Sequence, residues 1–368
     1  MPDGPFLGVA LDGAGAHPAA WRAPGGADGL FTAERLEHLA RSAEDAGFDF
    51  VTFDDGFDPP IPESATLPGR LDALLALARI APATTAIGLL PTVTTTHTEP
   101  FHISKNIATL DLVSAGRAGW HVAVSTTDEA ARAFGREVRR PLDELWAEAD
   151  DAIEVVNRLW DSWEDDAVIR DRASGRYVDR DKLHYIDFAG RFFSVRGPSI
   201  TPRSPQGQPL VAITAGNAHA RDVAARRADI VFVEAADARS AQAQRDAIRH
   251  LAGAGGRDPD TVAVLAVVRI GEPALRAELD RHGTAPDTAA ELVADAATVA
   301  ATLKAWSEDG AVDGFLLRPD VLPATLQWLA ADVLPRLDRD RTPAPGTLRE
   351  RFGLPRPANR YAAEEVAP

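Results

Sequence analysis

Eight short runs of β-branched and other apolar residues, most of them followed by a longer amphipathic stretch, recur along the 368 residues of the chain. The strand candidates cover 6–11, 48–55, 84–93, 117–125, 209–216, 229–235, 261–270 and 314–319. Strands that alternate with helices predict a parallel sheet, because each crossover helix returns the chain to the same edge. Eight such units in one chain predict an α/β fold, a closed (β/α)8 TIM barrel rather than an open sheet.

One connection is much longer than the others. Residues 161–208 separate the fourth helix, predicted over 142–160, from the fifth strand. Unstructured loops of that length are uncommon inside compact domains and are usually functional. We therefore expect one barrel domain over 1–368, with 161–208 inserted between helix 4 and strand 5 and folded over the barrel mouth. The Pro- and Arg-rich C-terminal extension, 340–368, is expected to pack across the barrel.

Charge and cysteine usage exclude several classes of function. Asp and Glu number 55 against 39 Lys and Arg, a net charge of −16, which disfavours nucleic acid or an anionic membrane as the partner. The absence of cysteine excludes disulfides, iron–sulfur clusters, thiolate metal sites and cysteine nucleophiles. No apolar run approaches the ~20 residues that span a bilayer, and the pattern of a secretory signal is missing. We expect a cytoplasmic protein with no membrane and no nucleic-acid partner.

The fourth strand candidate, "RAGWHVAVS" over 117–125, contains an unusual residue. A buried strand of a parallel sheet is normally a near-continuous run of Val, Ile and Leu. His121 and Ser125 nevertheless lie on one face of this strand, because side chains alternate along it. Either His121 is a satisfied core residue, or it faces a site at the barrel mouth, where enzymes of this fold place their functional groups.

Polar side chains also follow the second and third strands. Asp55 comes directly after strand 2, and Thr92 and Thr94 end strand 3. Hydroxyl groups at a barrel mouth offer a neutral hydrogen-bonding surface that suits an uncharged heterocycle. The alternative is that Thr92, Thr94, Thr95 and Thr96 cap the helix that starts after Pro100.

Two further positions suggest a ligand site on weaker grounds. Asn217 stands where an N-cap belongs after strand 5, and the free amides of a helix start can bind an anion, although capping alone explains an asparagine there. His97 and His102 are separated by a proline and lack the spacing of zinc-binding helices, so we predict no metal site.

Longer stretches of the chain carry a family resemblance. They include "FDFVTFDD" (48–55), "TVTTTHTEPFHISKNIATLDLVSAGRAGWHVAVS" (92–125), "LWDSWEDDA" (159–167), "TPRSPQGQP" (201–209) and "LRERFGLPRPANRY" (348–361). Together they resemble the flavin-dependent, bacterial luciferase-like monooxygenases, above all the branch with nitrilotriacetate monooxygenase and dibenzothiophene sulfone monooxygenase. The resemblance implies reduced FMN at the mouth of a TIM barrel, a separate flavin reductase that delivers it, and O2 as co-substrate for a small organic molecule. It also implies a homo-oligomer, a dimer or a tetramer.

Matched position by position, the resemblance assigns cofactor-binding roles. The residues that it places at the flavin ring and ribityl chain, or at the end of strand 4 beside them, are Asp55, Thr92, Thr94 and Ser125. Gly216 and Asn217 match the loop that holds the flavin phosphate.

The chain departs from the family pattern at several positions. His121 stands where the family has asparagine, and Leu142 and Trp146 stand where it has histidine and tyrosine. The phosphate loop is also altered, and Arg221 could replace the missing phosphate ligands. The residues at the ring are therefore retained, whereas those at the phosphate are rewritten.

The leading hypothesis is a two-component FMN-dependent monooxygenase in which His121 acts near the flavin as a hydrogen-bond partner or acid–base group. A deazaflavin-coenzyme-dependent oxidoreductase of the same barrel family is the first alternative, because a longer phosphate tail needs a different loop. A non-catalytic flavin-binding homologue is the second. The sequence leaves all three open.

Overall fold

The strands close into a barrel. The computed structural model describes residues 4–59, 69–283, 290–337, 339 and 345–362. Eight parallel strands pair in chain order around the barrel, and the eighth pairs with the first. They are β1 Phe6–Ala10, β2 Phe50–Phe53, β3 Gly88–Thr94, β4 Gly119–Ala123, β5 Leu210–Thr214, β6 Ile230–Glu234, β7 Ala263–Gly271 and β8 Gly314–Pro319. The predicted TIM barrel is confirmed, and all eight strand candidates are strands.

Helices cover the outside of the barrel. They are α1 Ala33–Asp45, α2 Ala73–Ile80, α3 Pro100–Val113, α4 Leu142–Asp161, α5 Ala218–Arg227, α6 Ala238–Ala254, α7 Ala296–Glu308 and α8 Ala324–Trp328. Polar side chains at Thr32, Asp72, Asn217, Asp237 and Asp295 accept hydrogen bonds from first-turn amides, which fixes where five of them begin. No helix within the described ranges is both long enough and apolar enough to cross a membrane.

Shorter elements lie in the connections. They are the helices Asp128–Ala133, Pro273–Leu279 and Leu348–Arg351, the strand Ala290–Val293, and the hairpin strands Val168–Asp171 with Arg176–Val178 and Phe188–Ala189 with Ser194–Val195. The strand Ala290–Val293 pairs with the end of β7 outside the barrel. It was not foreseen, because four residues are too few to show a strand period.

Apolar side chains fill the lower half of the barrel, the half at the N-terminal ends of the strands. Phe50 of β2 and Phe232 of β6 face each other across the interior with ring centroids 6.2 Å apart. The C-terminal segment closes the base, where Phe352 stacks on Phe6 with centroids 4.1 Å apart and planes at 13°. Leu348 belongs to the same buried cluster. Only the upper layer of the barrel is therefore left for polar side chains.

The insertion 161–208 lies along α4 and against the C-terminal segment. Arg203 forms an ion pair with Asp161 at 2.9 Å and donates to the carbonyl of Pro357 at 2.8 Å. At its far end, Arg191 reaches Glu144 in the first turn of α4, at 2.6 Å. The hydrogen bonds and ion pairs of the described residues thus tie the insertion to the barrel wall and base. Through Arg191 the insertion also reaches the start of α4, on the mouth side of the barrel, and its covering of the mouth stays a prediction.

The aromatic contact at the base predicts a stability effect. Phe352→Ala should lower the free energy of unfolding by about 3 kcal/mol, because a buried ring is lost and the base cannot fully collapse around the space. Chemical denaturation followed by circular dichroism measures the change.

The matched control is Phe31→Ala, whose ring is 53% exposed, and for which a change within about 0.5 kcal/mol is expected. Equal effects of the two substitutions would show that the C-terminal segment does not hold the base together.

Candidate functional site

The upper layer of the barrel is polar. Because side chains alternate along a strand, the position two residues beyond each inward-facing apolar residue also faces the interior. Phe50 is followed in this way by Thr52 and Asp54, and Leu90 by Thr92 and Thr94. The side chains of this layer that carry the chemistry described below are Asp12, Asp54, Thr92, Thr94, His121, Ser125, Thr214 and Arg318.

His121 lies at the centre of this layer. Its Nδ1 lies 3.0 Å from the hydroxyl of Thr92 on β3, and its Nε2 lies 3.0 Å from the hydroxyl of Thr214 on β5. The ring stands edge-to-face on Phe232, with centroids 5.2 Å apart and planes at 87°. Both prior interpretations of His121 therefore hold in part, because its hydrogen bonds are satisfied and the half-buried ring also belongs to the mouth.

The surroundings keep His121 uncharged. Burial lowers the pKa of His121 to about 4, Arg318 adds to the lowering, and the negative charge of Asp54 opposes it. At neutral pH the imidazole therefore has one N–H donor and one acceptor nitrogen. This state fits two hydroxyl partners, because each hydroxyl can either donate or accept.

Two carboxyl groups stand beside each other across β1 and β2. The backbone N–H of Asp54 donates a hydrogen bond to the carboxylate of Asp12. Burial, and then the negative charge of Asp54, raise the pKa of Asp12 to about 7, while Arg318 opposes the rise. Asp12 thus changes its charge near neutral pH, within the same polar layer as His121.

A cavity of ≈ 380 Å³ opens between the ends of β2 and β3 and helices α2 and α3. Three of the predicted cofactor-binding residues, Asp55, Thr92 and Thr94, line it. Ser125 lies next to them, with its hydroxyl 3.4 Å from that of Thr94. The structure therefore brings together the four residues that the resemblance assigns to the flavin side.

Asp55 also has a structural role. Its carboxylate accepts hydrogen bonds from the amides of Gly56 at 2.7 Å and Ala73 at 3.0 Å, which fixes the loop between β2 and α2. Burial raises the pKa of Asp55, against these two hydrogen bonds. An ordered carboxylate at the cavity wall can still accept a hydrogen bond from a ligand N–H.

The alternative explanation for the threonines is wrong. Glu99 occupies the N-cap of α3 and makes no capping hydrogen bond. The hydroxyl of Thr95 donates to the carbonyl of Ala123, and that of Thr96 accepts from the amide of Ser125. These two threonines join the ends of β3 and β4, whereas Thr92 and Thr94 remain at the cavity.

The start of α5 offers an anion site. Asn217 caps the helix, with its side-chain oxygen 3.0 Å from the amide of Ala220. A side chain at Gly216 would meet nothing within 4 Å, so the backbone there is open to a ligand. The Nε of Arg221 is buried and has no hydrogen-bond partner among the residues that the structure describes. The indole N–H of Trp146 is also buried without a partner among the described residues, but Trp146 lines a separate pocket that carries the carboxylates of Asp143, Asp150, Asp151 and Asp222.

These donors fit a phosphate. A buried polar group without a partner is costly, and an anion at a helix start satisfies such donors and is favoured by the helix dipole. With the neutral hydroxyls at the cavity, the donor set suits a molecule that has an uncharged polar ring at one end and a phosphate at the other.

Sequence reasoning missed two features of the mouth. Thr214 was not singled out. Ala212 pairs with His121 and faces the interior, so Thr214, two residues further along the same strand, could have been identified as inward-facing too. Phe57, His97 and Phe134 form an aromatic rim over three loops, with the rings of His97 and Phe134 stacked 4.4 Å apart. Strand periodicity gives no signal for such loop contacts.

No group of three or more His, Asp or Glu side chains in the described ranges could hold a metal ion.

Comparison with known proteins gives a consistent family. The sequence profile of the luciferase-like monooxygenases matches residues 13–278. N-acetyl-S-(2-succino)cysteine monooxygenase of Bacillus subtilis (strain 168) is 30% identical over 431 aligned residues, which cover 97% of this chain and 98% of that protein. Nitrilotriacetate monooxygenase component A of Aminobacter aminovorans is 36% identical over 240 residues, 61% of this chain and 53% of that protein.

Solved structures share the fold over nearly the whole chain. A riboflavin lyase, crystallised with modified FMN and riboflavin, superposes with a TM-score of 0.86 at 26% identity and covers 97% of this chain and 98% of its own. An F420-dependent secondary alcohol dehydrogenase superposes with a TM-score of 0.68 at 15% identity, over 92% of this chain and 100% of its own, and shows the fold alone.

The raised pKa of Asp12 predicts how stability depends on pH. The unfolded chain loses the Asp12 proton near pH 3.8 and the folded chain near pH 7, so folding stability falls as the pH rises between these values. Asp12→Asn, which stays neutral, removes this loss. Between about pH 5 and pH 8 the unmodified protein should lose about 2–3 kcal/mol more of its unfolding free energy than the variant.

The measurement is chemical denaturation at the two pH values, with Asp28→Asn, an exposed aspartate of the same loop, as control. A pH dependence that is the same in Asp12→Asn and in the unmodified protein would contradict the assignment.

Proposed function

The chain belongs to the luciferase-like monooxygenases and is an oxidoreductase, and from this premise we propose that it is a two-component FMN-dependent monooxygenase. In this proposal a separate reductase delivers reduced FMN, and the enzyme uses it with O2 to oxygenate a small organic substrate. The observation that carries the proposal is the pairing of a hydroxyl-lined cavity with the unpaired buried Nε of Arg221 in the first turns of α5.

The cavity supports binding of the flavin ring. In our proposal the hydroxyls of Thr92 and Thr94 and the carboxylate of Asp55 would hydrogen-bond the ring and the ribityl chain, with Ser125 beside them. The rest of the wall is apolar at Phe57, Leu74, Leu75, Val93 and Ile103 and polar at Asp72, Thr98, His102 and Asn106, so it combines an apolar surface with a few polar groups. That combination is typical of cofactor sites.

The start of α5 supports binding of the flavin phosphate. Gly216 would let the phosphate approach the backbone, Asn217 would order the free amides, and Arg221 would supply a charge-assisted hydrogen bond. The chain would thus hold an FMN-sized anion although the phosphate loop departs from the family pattern.

His121 would act at the reacting end of the site. Bound reduced FMN supplies the electrons that activate O2, and the protein supplies position, hydrogen bonds and exclusion of water. The neutral ring of His121, fixed by Thr92, Thr214 and Phe232, can donate one hydrogen bond and accept another without changing its charge. We assign it the catalytic role in this proposal.

A flavin reductase is the partner that the proposal requires. The name of the nitrilotriacetate relative, component A, denotes one part of a multi-component system. A homo-oligomer, dimer or tetramer, stays a prediction.

The phosphate assignment predicts a selective effect on cofactor binding. Arg221→Gln should weaken binding of reduced FMN by about 10- to 100-fold, because a charge-assisted hydrogen bond is lost. Binding of reduced riboflavin, which lacks the phosphate, should change less than about twofold. Anaerobic titration followed by absorbance and tryptophan fluorescence measures both affinities.

The matched control is Arg226→Gln on the same helix, an exposed arginine paired with Asp150, which should leave both affinities unchanged. Saturable binding of the deazaflavin coenzyme together with no binding of FMN would replace FMN in the proposal. Binding of neither cofactor would reject it.

The cavity assignment predicts a split between binding and turnover. Asp55→Ala and Thr92→Val should each weaken binding of reduced FMN by about tenfold, the cost of one or two lost hydrogen bonds. His121→Ala should instead lower turnover more than affinity, because its neighbours still hold the flavin. Unchanged turnover in His121→Ala, measured as O2 consumption with reduced FMN, would show that His121 is a packing residue.

A further inference from the structure

His121 joins two hydroxyls that face different sides of the site. Thr92 is buried and lines the cavity, whereas Thr214 is half-buried and lies two residues before the exposed Gly216. The two hydrogen bonds to the ring are equally short, 3.0 Å each. A continuous hydrogen-bonded path therefore leads from the open side of the mouth, through the imidazole, to the cavity.

Every group on this path can take up and release a proton at the same time. A hydroxyl accepts at its oxygen while it donates its hydrogen, and a neutral imidazole accepts at one nitrogen while it donates from the other. The ring cannot turn away easily, because Phe232 holds it edge-on from below. An asparagine in place of His121 could form both hydrogen bonds, but an amide cannot exchange its donor and acceptor ends as an imidazole does when the proton moves from one ring nitrogen to the other.

We infer that Thr214, His121 and Thr92 form a proton relay between water at the barrel mouth and a group bound in the cavity. Thr92 gives its hydroxyl proton to that group and receives the Nδ1 proton of His121. Nε2 receives the proton of Thr214, and water restores the Thr214 hydroxyl. The net change is one proton moved from water to the bound group, with no charge left on the ring and no oxidant or reductant consumed. The reverse passage, or exchange with water, restores the first tautomer.

A relay fits this site better than a stored proton. Thr92, Thr214 and Phe232 contact the ring, and Asp54 and Arg318 are the charged groups that act on its pKa. The direction of the His121 pKa, downward through burial, means that a charged imidazolium is not held at neutral pH. The residue can therefore pass a proton but not keep one. Thr214 is then a positioning residue at the entry of the path, and it acts through the Nε2 of His121.

The first test needs no cofactor and so does not depend on the proposed function. Protein labelled with 15N-histidine is measured by NMR from about pH 8 to pH 5.5, where an unperturbed histidine with a pKa of about 6.5 takes up a proton. The His121→Asn variant identifies the His121 signal by its loss. We expect His121 to stay neutral, and Thr214→Val to shift the signal of Nε2 while that of exposed His219 stays in place. Protonation of His121 in this range, or no shift in Thr214→Val, would overturn the relay.

The second test rests on the proposed function and uses reduced FMN and O2 in H2O and D2O. Thr214→Val and His121→Asn should each slow flavin turnover by about tenfold and raise the solvent isotope effect, because the proton then moves by a slower route. Their affinities for reduced FMN should remain within about twofold of the unmodified protein. Thr214→Ser, which keeps a hydroxyl, should recover most of the rate.

The control is Thr109→Val on the outer face of α3, which should change nothing. Full turnover in both Thr214→Val and His121→Asn, or no recovery in Thr214→Ser, would contradict the relay even if FMN binds as proposed. A different result is that FMN does not bind, while NMR shows a neutral His121 whose Nε2 signal depends on Thr214. That result would reject the proposed function and leave the hydrogen-bonded path intact.

Discussion

The edge-to-face contact of His121 with Phe232 divides the barrel into two halves. Below it, the rings of Phe6, Phe50, Phe232 and Phe352 form a continuous apolar filling that the C-terminal segment closes from the base. Above it lie the polar inward-facing side chains of the upper layer, among them Asp12, Thr92, Thr94 and Thr214. The polar layer therefore lies on an apolar floor, at the open end of the strands, where barrel enzymes carry their functional groups.

Charge in the upper layer follows from this floor. Burial disfavours the charged forms of both His121 and Asp12. For each of them the negative charge of Asp54 raises the pKa and the positive charge of Arg318 lowers it. The outcome is a neutral imidazole and a carboxyl group that titrates near neutral pH. A site of this kind suits the handling of protons beside an uncharged ring better than the binding of a metal or a highly charged substrate.

The sequence predicted what strand periodicity and strand ends control. Strand parity identified His121 as a polar residue on the inner face of β4, and the family resemblance grouped Asp55, Thr92 and Thr94 at what is one cavity. The N-cap role of Asn217 followed from its residue type and position, and the structure confirms it. The family and the TIM barrel were likewise readable, because their signals extend over the whole chain.

Features that depend on pairing across distant segments were not readable. Thr214 becomes important only because β5 lies beside β4, which places its hydroxyl at Nε2 of a residue 93 positions away. The unpaired Nε of Arg221 can be recognised only when all its neighbours are known. The path of the insertion is set by ion pairs such as Arg203 with Asp161 and Arg356 with Asp165, which join segments far apart in the chain, and periodicity carries no information about them.

A crystal structure of the protein grown under anaerobic conditions with reduced FMN tests the central claim most directly. The account predicts the flavin ring in the cavity lined by Asp55, Thr92 and Thr94, and the phosphate at the start of α5 within hydrogen-bond distance of Arg221. It also predicts that the His121 ring keeps both threonine contacts. FMN bound elsewhere, or a phosphate that leaves Arg221 without a partner, would contradict it.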